Sequence, residues 1–226
     1  MLGKFIVFEG VEGSGKTTQL QQAHDWLLSN DLLRSLQTQG YLSSILITRE
    51  PGGTPLGLSL RQLLLSHAAP EPIQDRTELL LYMSDRTQHV ETVLKPKLTQ
   101  GALILCDRYT DSTVAYQGYG RGLDLTLIKQ LNQIATDGLQ SDLTIWLDLD
   151  VAVGLSRTQQ RGVTDRIEQA NLDFHQRVRK GFMALADANP GRIIRVDASL
   201  SKSEVTQAIQ AILQQRLAQW YRSFIP

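Results

Sequence analysis

The fold is decided by residues 5–18, which read FIVFEGVEGSGKTT. The β-branched and aromatic run at residues 5–8 is typical of a buried parallel strand. Residues 10–17 then fit the pattern G-x-x-x-x-G-K-[ST], and a polar-apolar pattern that can form a helix follows. In this arrangement backbone N–H groups point at phosphate oxygens, Lys16 reaches the outer phosphates, and the Thr17 hydroxyl can hold Mg²⁺. The alternative is a glycine turn with a solvated lysine, but the flanking strand and helix favour a nucleotide-phosphate site.

The composition is typical of a compact soluble protein. The chain has 226 residues, of which 42% are hydrophobic and 20% charged, enough for one domain or one domain with a small flap. The formal net charge is zero, so nothing indicates nucleic acid or a membrane surface as a partner. The single cysteine, Cys106, excludes an internal disulfide, and no apolar run approaches transmembrane length. The phosphate-binding strand begins almost at the N-terminus, which leaves no room for a signal peptide, and we expect a cytoplasmic protein.

Strand and helix patterns alternate along the chain, which predicts a parallel sheet with helices on both faces. The predicted strands are residues 5–8, 44–48, 102–106, 143–149 and 192–196. The predicted helices are residues 18–28, 56–65, 77–99 (interrupted or ended near Pro96), 127–135, 172–188 and 203–224. Residues 29–41 are either a short helix or a surface excursion. In such a sheet, ligands bind at the carboxyl ends of the strands.

Arg49 opens a cluster, REPGGT, directly after the second predicted strand. An arginine at a strand end beside a proline-glycine turn is well placed to hold an anion with its planar guanidinium. The alternative is a surface ion pair with Glu50, and these residues alone do not decide between the two.

Tyr82 and Arg86 are four residues apart on a predicted helix, so they share one face. An aromatic ring and a set of N–H donors could sandwich and hydrogen-bond a flat base. The alternative is that Tyr82 packs in the core while Arg86 forms an ion pair on the helix surface.

Asp107 and Arg108 follow the third predicted strand and begin the sequence DRYTDSTVAYQGYGRG. An acidic residue at this position orients Mg²⁺ or its water ligands in P-loop proteins, and Arg108 would face the same crevice. A surface turn is the alternative, although charges at the end of a buried strand are costly unless they are used.

Arg157 and Arg161 lie four residues apart in SRTQQRGVTDRIEQ, and Gly162 can end the helix that carries them. Two cations on one helical face repel each other, which favours an anionic ligand between them. A solvated helical face is the alternative.

Four motifs together, FEGVEGSGKTT, REPGGT, DRYTDSTVAYQGYGRG and DRIEQ, resemble those of the thymidylate kinase family in its bacterial form. The resemblance implies a P-loop, three-layer α/β/α fold with a five-stranded parallel sheet. It implies a single nucleoside monophosphate kinase domain over residues 1–226, with a short lid segment at about residues 154–168. It also implies a homodimer that transfers the γ-phosphate of ATP to dTMP, giving dTDP for dTTP synthesis.

The resemblance also implies roles for individual residues. The ATP-binding residues would be Gly10, Val11, Glu12, Gly13, Ser14, Gly15, Lys16, Thr17 and Thr18. Mg²⁺ would be held by Thr17 and, through water, by Asp107. The dTMP-binding residues would be Glu9, Arg49, Tyr82, Arg86, Arg108, Thr113 and Tyr116. The lid would contribute Arg157, Arg161 and Arg166, and the catalytic residues would be Lys16, Arg161, Arg108 and Glu9.

Two other functions are weighed against this one. Kinases for other nucleoside monophosphates share the loop and the lid but lack the pattern DRYTDSTVAYQGYGRG. A GTP-binding switch protein would need an Asn-Lys-x-Asp element for guanine, and this sequence has none.

Overall fold

The computed structural model of the chain describes residues 3–66, 71–160, 162 and 165–222. It contains a five-stranded sheet, all parallel, in the order β2-β3-β1-β4-β5. The strands are β1 (Lys4–Gly10), β2 (Ile45–Arg49), β3 (Leu103–Asp107), β4 (Leu143–Asp148) and β5 (Ile193–Asp197). Each predicted strand is therefore present, with ends that differ from the prediction by no more than two residues.

Helices cover both faces of the sheet. The α-helices are α1 (Lys16–Ser29), α2 (Asp31–Thr38), α3 (Pro55–Leu65), α4 (Asp75–His89), α5 (Lys95–Thr99), α6 (Thr110–Thr113), α7 (Leu125–Thr136), α8 (Val151–Gln160), α9 (Leu172–Ala188) and α10 (Lys202–Trp220). Two π-helical segments, Val90–Leu94 and Val114–Gly120, continue α4 and α6. The predicted three-layer α/β/α fold is confirmed.

Alternate side chains of β1 enter different cores, because successive residues of a strand point to opposite faces. Ile6 and Phe8 belong to a large cluster that includes residues of α1, α9 and α10. Phe5 and Val7 belong to a second cluster, with apolar residues of β3 and of the chain between α4 and α5. β1 is thus buried on both faces. This packing holds the end of the strand in place, and with it the start of the loop that follows.

The helix predicted over residues 77–99 begins at Asp75 and changes geometry before Pro96 rather than at it. Proline has no N–H group, and its ring crowds the carbonyl four residues earlier. The turn ahead of it widens accordingly, so that the Lys95 N–H bonds to the carbonyl of Val90. The chain then returns to α-helix and ends at Thr99.

Of the two alternatives for residues 29–41, a short helix or a surface excursion, the structure shows the helix, α2. The Asn30 side chain accepts a hydrogen bond from the Leu33 N–H and caps α2. Leu33 and Leu36 are buried in the large cluster, so this helix extends the core.

Two further differences separate the prediction from the structure. The short helix α6 and the π-helical segment after it occupy sequence predicted only as a motif. The last helix ends at Trp220, before the predicted position 224. Within the described ranges, no helix is long and apolar enough to cross a membrane.

Strand register places the predicted clusters together. Phe8 of β1 pairs with Asp107 of β3, and Arg49 of β2 pairs with the same residue. The carboxyl ends of three adjacent strands therefore meet at one edge of the sheet.

Candidate active site

The loop at residues 10–15 turns β1 into α1. Gly13 and Gly15 have positive φ values of 69° and 87°, which side chains rarely adopt. A Cβ on Gly13 would lie 2.1 Å from the carbonyl oxygen of Gly154 on α8. Gly15 precedes α1 directly and makes no side-chain cap, so the first N–H groups of the helix remain available to an anion.

Lys16 is buried at the start of this helix. Its Nζ donates hydrogen bonds to the carbonyl oxygens of Gly10, at 2.9 Å, and Val11, at 3.0 Å. Burial, together with the nearby Arg108 guanidinium, lowers the pKa of the Lys16 ammonium to about 8. A phosphate in the loop would supply the negative charge that this desolvated cation needs.

Thr17 and Asp107 lie side by side where β1 and β3 end. The Thr17 hydroxyl donates to Asp107 Oδ2 at 3.2 Å. Asp107 Oδ1 is buried and has no hydrogen-bond partner among the described residues. Those residues contain no cluster of three or more acidic, histidine or cysteine side chains that could hold a metal by itself. One hydroxyl and one carboxylate suit Mg²⁺, which takes most of its ligands from phosphates and water.

Arg108 bridges β3 and the phosphate loop. Its Nη2 donates to Glu12 Oε1 at 2.8 Å, and its Nη1 donates to the carbonyl of Gly10 at 3.2 Å. The Tyr116 hydroxyl also donates to Glu12, and the Arg108 guanidinium lies 4.8 Å from the centre of the Tyr116 ring. Although burial disfavours its charged form, Arg108 and His175 hold the pKa of Glu12 well below its usual range. Arg108 is thus fixed at the cavity wall and is no surface turn.

Arg49 reaches toward the same point from β2. Its Nη2 lies 3.8 Å from Asp107 Oδ2, and 44% of its side chain is exposed. The alternative of a surface pair with Glu50 is wrong, because Glu50 is buried and pairs with Arg86 and His89. Arg49 therefore remains accessible to an anion.

Arg86 lies in the interior, so the alternative of a helix-surface ion pair is wrong. Its guanidinium donates to Glu50, to the Thr113 hydroxyl, to the Asn132 amide oxygen and to the carbonyl of Tyr109. These four bonds use all but one of its N–H groups and leave one on Nη2. Arg86 borders the cavity beside Tyr82, as their shared helical face predicts.

The lid segment contributes two described arginines. Arg157 Nη1 donates to the carbonyl of Gly13 in the phosphate loop at 3.4 Å. Arg166 donates to the carbonyl of Leu64 at 3.1 Å and forms an ion pair with Glu78 of α4. The proposed catalytic residue Arg161 lies outside the described residues.

A single cavity of about 360 Å³ joins these groups. The predicted site residues that border it are Glu12, Gly13, Gly15, Lys16, Thr17, Thr18, Arg49, Tyr82, Arg86, Asp107, Arg108, Thr113, Tyr116 and Arg157. The predicted residues Glu9, Gly10, Val11, Ser14 and Arg166 do not line it. The loop at residues 10–15 therefore opens onto a pocket lined by five arginines and by Tyr82 of α4.

Comparison with known proteins assigns this arrangement to a family. A family model described as thymidylate kinase matches residues 8–209, which include every motif quoted above. The chain belongs to the thymidylate kinase family. The thymidylate kinase of a Cyanothece species is 60% identical over 228 residues, covering 98% of this chain and 97% of that protein. The thymidylate kinase of Trichodesmium erythraeum is 56% identical, and the match covers 97% of this chain and 99% of that protein.

The fold agrees with a solved member of the thymidylate kinase family. The crystal structure of thymidylate kinase from Ehrlichia chaffeensis superposes with a TM-score of 0.72 at 33% sequence identity. The match covers 94% of this chain and 99% of that one. The described elements thus follow the architecture of this family from β1 to the last helix.

Several residues that line the cavity were missed in the sequence. They are Glu50, Arg61, Asp85, Ser112 and Gln117. Gln117 and Ser112 stand inside the quoted motif DRYTDSTVAYQGYGRG, and Asp85 precedes Arg86, so their proximity to predicted residues was the available signal. The helical geometry after Arg108 determines which motif residues face the cavity. The sequence pattern did not predict this geometry.

Glu9 is buried beneath the site. Its carboxylate accepts hydrogen bonds from the N–H groups of Tyr109 and Ser112, at 2.9 Å and 3.1 Å, and from the Ser112 hydroxyl at 2.6 Å. Burial raises the pKa of the Glu9 carboxyl to about 7, against the opposing pull of Arg108. This group therefore changes charge near neutral pH.

We expect Glu9→Gln to alter how stability depends on pH. Between about pH 4.5 and 7 the folded wild-type protein holds a proton on Glu9 that the unfolded chain has lost. Raising the pH through this window destabilises the wild type through Glu9, whereas glutamine does not titrate. The melting temperature of Glu9→Gln should rise relative to the wild type by on the order of 5 °C between pH 5 and 7.5. If calorimetry shows a constant difference in melting temperature between the two proteins over this pH range, the result would contradict the raised pKa.

Proposed function

We propose that this protein transfers the γ-phosphate of ATP to dTMP, giving ADP and dTDP for dTTP synthesis. One observation carries this proposal: a single cavity joins the phosphate loop at Lys16 to an anion-binding pair, Arg49 and Arg108, and to the helix face of Tyr82 and Arg86. Two polyanions that meet in one cationic cavity are what phosphoryl transfer requires.

The donor side is the loop of residues 10–18. Its backbone N–H groups and Lys16 would bind the β- and γ-phosphates of ATP. Thr17 and, through water, Asp107 would hold Mg²⁺, which supplies positive charge to the phosphates when it is bound. The unpartnered Oδ1 of Asp107 supports this assignment, since a buried carboxylate oxygen needs a donor or a cation.

The acceptor side is formed by Arg108 and Arg49. Arg49 is half exposed and turned toward Asp107, so it can move onto the dTMP phosphate at little cost. Arg108, which donates to Glu12, would bind that phosphate and align the acceptor with the donor. The attacking oxygen of dTMP is already anionic, so no strong general base is needed.

The nucleoside would lie between α4 and the segment after β3. Tyr82 would stack on thymine, the remaining Arg86 N–H would bond the base, and Thr113 would line the pocket beneath it. Glu9 would lie near the 3′-hydroxyl of the sugar. The Tyr116 hydroxyl donates to Glu12 at 2.7 Å, which supports a fixed ring position. In the proposed arrangement this ring would stand where the 2′-hydroxyl of a ribonucleotide needs room.

A coupled assay of ADP release with each nucleoside monophosphate in turn tests the proposed function. We expect dTMP to be the preferred acceptor, with product dTDP identified by chromatography. Preference for AMP, GMP or UMP would indicate another kinase of the same fold. Slow GTP hydrolysis without a phosphorylated acceptor would indicate a switch protein.

We propose further that residues 1–226 act as one kinase domain with a lid at about residues 154–168, and that the enzyme is a cytoplasmic homodimer. Exposed leucine and isoleucine side chains on α4 and α7 support a dimer, since these helices pack together and present them on the surface. They are Leu80, Leu125, Leu127 and Ile134. The zero net charge supports small molecules rather than nucleic acid or a membrane as partners.

A further inference from the structure

Glu78, Tyr82 and Arg86 form one stripe along α4, because they are spaced by four residues. The last two border the cavity, and Glu78 lies one turn before them, with no exposed surface. None of the roles assigned above to the substrate site uses Glu78. Its surroundings nevertheless connect it to a cavity residue.

Glu78 receives donors from three side chains. Gln117 Nε2 donates to its Oε1 at 2.9 Å. Arg121 donates from Nε to the same oxygen at 3.3 Å and from Nη2 to Oε2 at 3.2 Å. Arg166 also donates to Oε2. Although burial opposes ionisation, the Gln117 amide and the Arg121 guanidinium keep the pKa of Glu78 below its usual value. Glu78 is therefore a carboxylate that can only accept hydrogen bonds.

This carboxylate decides which end of the Gln117 amide faces the substrate. An amide has two N–H donors on one side and a carbonyl acceptor on the other. Because Glu78 accepts from the nitrogen, the Gln117 Oε1 is left on the open side, and no described residue donates to it. Gln117 is only 2% exposed and lines the cavity, so the open side of the amide is the cavity.

An acceptor at this position distinguishes pyrimidines. Thymine has an N–H group at N3 and an oxygen at C4, whereas cytosine has an acceptor at N3 and an amino group at C4. The Gln117 carbonyl matches the N3–H of thymine, and the remaining N–H of Arg86 matches the C4 oxygen. Cytosine would place an acceptor against the carbonyl and a donor against the arginine.

We propose that Glu78 is a positioning residue for base selection, which holds the Gln117 amide with its carbonyl toward the base and so favours thymine over cytosine. The inference rests on the proposed function, since it assumes that the base occupies the cavity beside α4. It adds a residue that does not touch the substrate and acts through Gln117.

The isosteric change Glu78→Gln tests this role. Two charged donors, Arg166 and Arg121 Nη2, meet at Oε2, whereas only one charged donor, Arg121 Nε, meets at Oε1 beside Gln117. The new carbonyl would therefore take the Oε2 position, which places the new NH₂ group against Gln117. Gln117 would then turn its carbonyl toward residue 78 and its NH₂ group toward the cavity. We expect the ratio of kcat/KM for dTMP to kcat/KM for dCMP to fall about tenfold or more, while the KM for ATP changes less than about twofold.

Two controls separate positioning from loss of structure. Asp75→Asn removes another ion pair to Arg121, at 3.5 Å, without a contact to Gln117, and should leave the ratio unchanged. In a double-mutant cycle, Glu78→Gln should have no further effect on the ratio once Gln117→Leu has removed the amide. The two kcat/KM values are measured on the same preparation. A reduced folded fraction lowers both by the same factor and leaves their ratio unchanged.

The outcomes are distinguishable. A wild-type enzyme that does not prefer dTMP would contradict the proposed function itself. A wild-type preference for dTMP with an unchanged ratio in Glu78→Gln would overturn only the role of Glu78. A further fall in the Gln117→Leu background would show that Glu78 acts by another route.

Discussion

Lys16→Met is expected to abolish phosphoryl transfer in a protein that still folds. The ammonium of Lys16 is buried beside the phosphate loop, where it donates to the carbonyl oxygens of Gly10 and Val11. On the donor phosphates it would stabilise charge that develops as the γ-phosphoryl group leaves. Methionine keeps the length of the side chain without the charge, and we expect kcat to fall on the order of 10³-fold.

The fold should survive this change, because burial already opposes the charged form of Lys16. The melting temperature should equal or exceed that of the wild type, and dTMP binding measured by calorimetry should persist. Lys180→Met is the matched control, since this lysine is exposed on α9, and its activity should be normal. Near-normal turnover by folded Lys16→Met would remove the phosphate loop from the mechanism.

The sequence predicted the local parts of this site because their chemistry is encoded in short stretches. Gly13, Gly15 and Lys16 stand at spacings that a phosphate loop requires, and the structure gives the two glycines positive φ values. Arg49 and Arg108 could be placed at the sheet edge because they follow strand patterns by one and two residues. The sheet order was not predicted, since strand patterns do not state which strands are neighbours.

The environment of Arg86 shows what the sequence could not predict. Its partners Glu50, Thr113 and Asn132 are separated from it by 36, 27 and 46 residues. The spacing to Tyr82 correctly predicts a shared helix face, but only the tertiary structure shows that this face is covered. The same holds for Glu78, whose partners come from two other segments of the chain.

The helical segment after Arg108 was not predicted, because it contains Gly118 and Gly120. A Cβ on Gly118 would lie 2.4 Å from Leu125 Cδ2, and one on Gly120 would lie 2.7 Å from Phe174 Cε2. These glycines therefore allow the segment to pack closely against its neighbours, whereas glycine in a sequence pattern is typical of a turn. Tertiary packing overrides local propensity here, and it determines which motif residues reach the cavity.

The second large effect is expected at Arg161, in the lid. The variable positions of the phosphate loop, residues 11–14, contain no cation, and their one charged residue, Glu12, is an anion already paired with Arg108. Charge that develops on the transferring phosphoryl group must therefore be met from elsewhere. The lid supplies three arginines, and the resemblance to bacterial thymidylate kinases assigns the catalytic role to Arg161.

The described lid arginines have other partners. Arg166 is held by Glu78 of α4 and donates to the carbonyl of Leu64. Arg157 donates to the carbonyl of Gly13, which suits a role in ATP binding or in closing the lid. We propose that Arg161, next to Gly162, stabilises the transition state. An arginine with this function is worth roughly 10³-fold or more in kcat.

Arg161→Ala should therefore lower kcat by about that factor, with modest changes in the KM for ATP and for dTMP, because the interaction is made mainly in the transition state. Arg157→Ala and Arg166→Ala should be milder and should act mainly on KM. Steady-state kinetics of the three variants, at equal folded concentration, decides between them. If Arg161→Ala keeps more than about a tenth of the wild-type kcat while another lid arginine does not, the catalytic role belongs to that other residue.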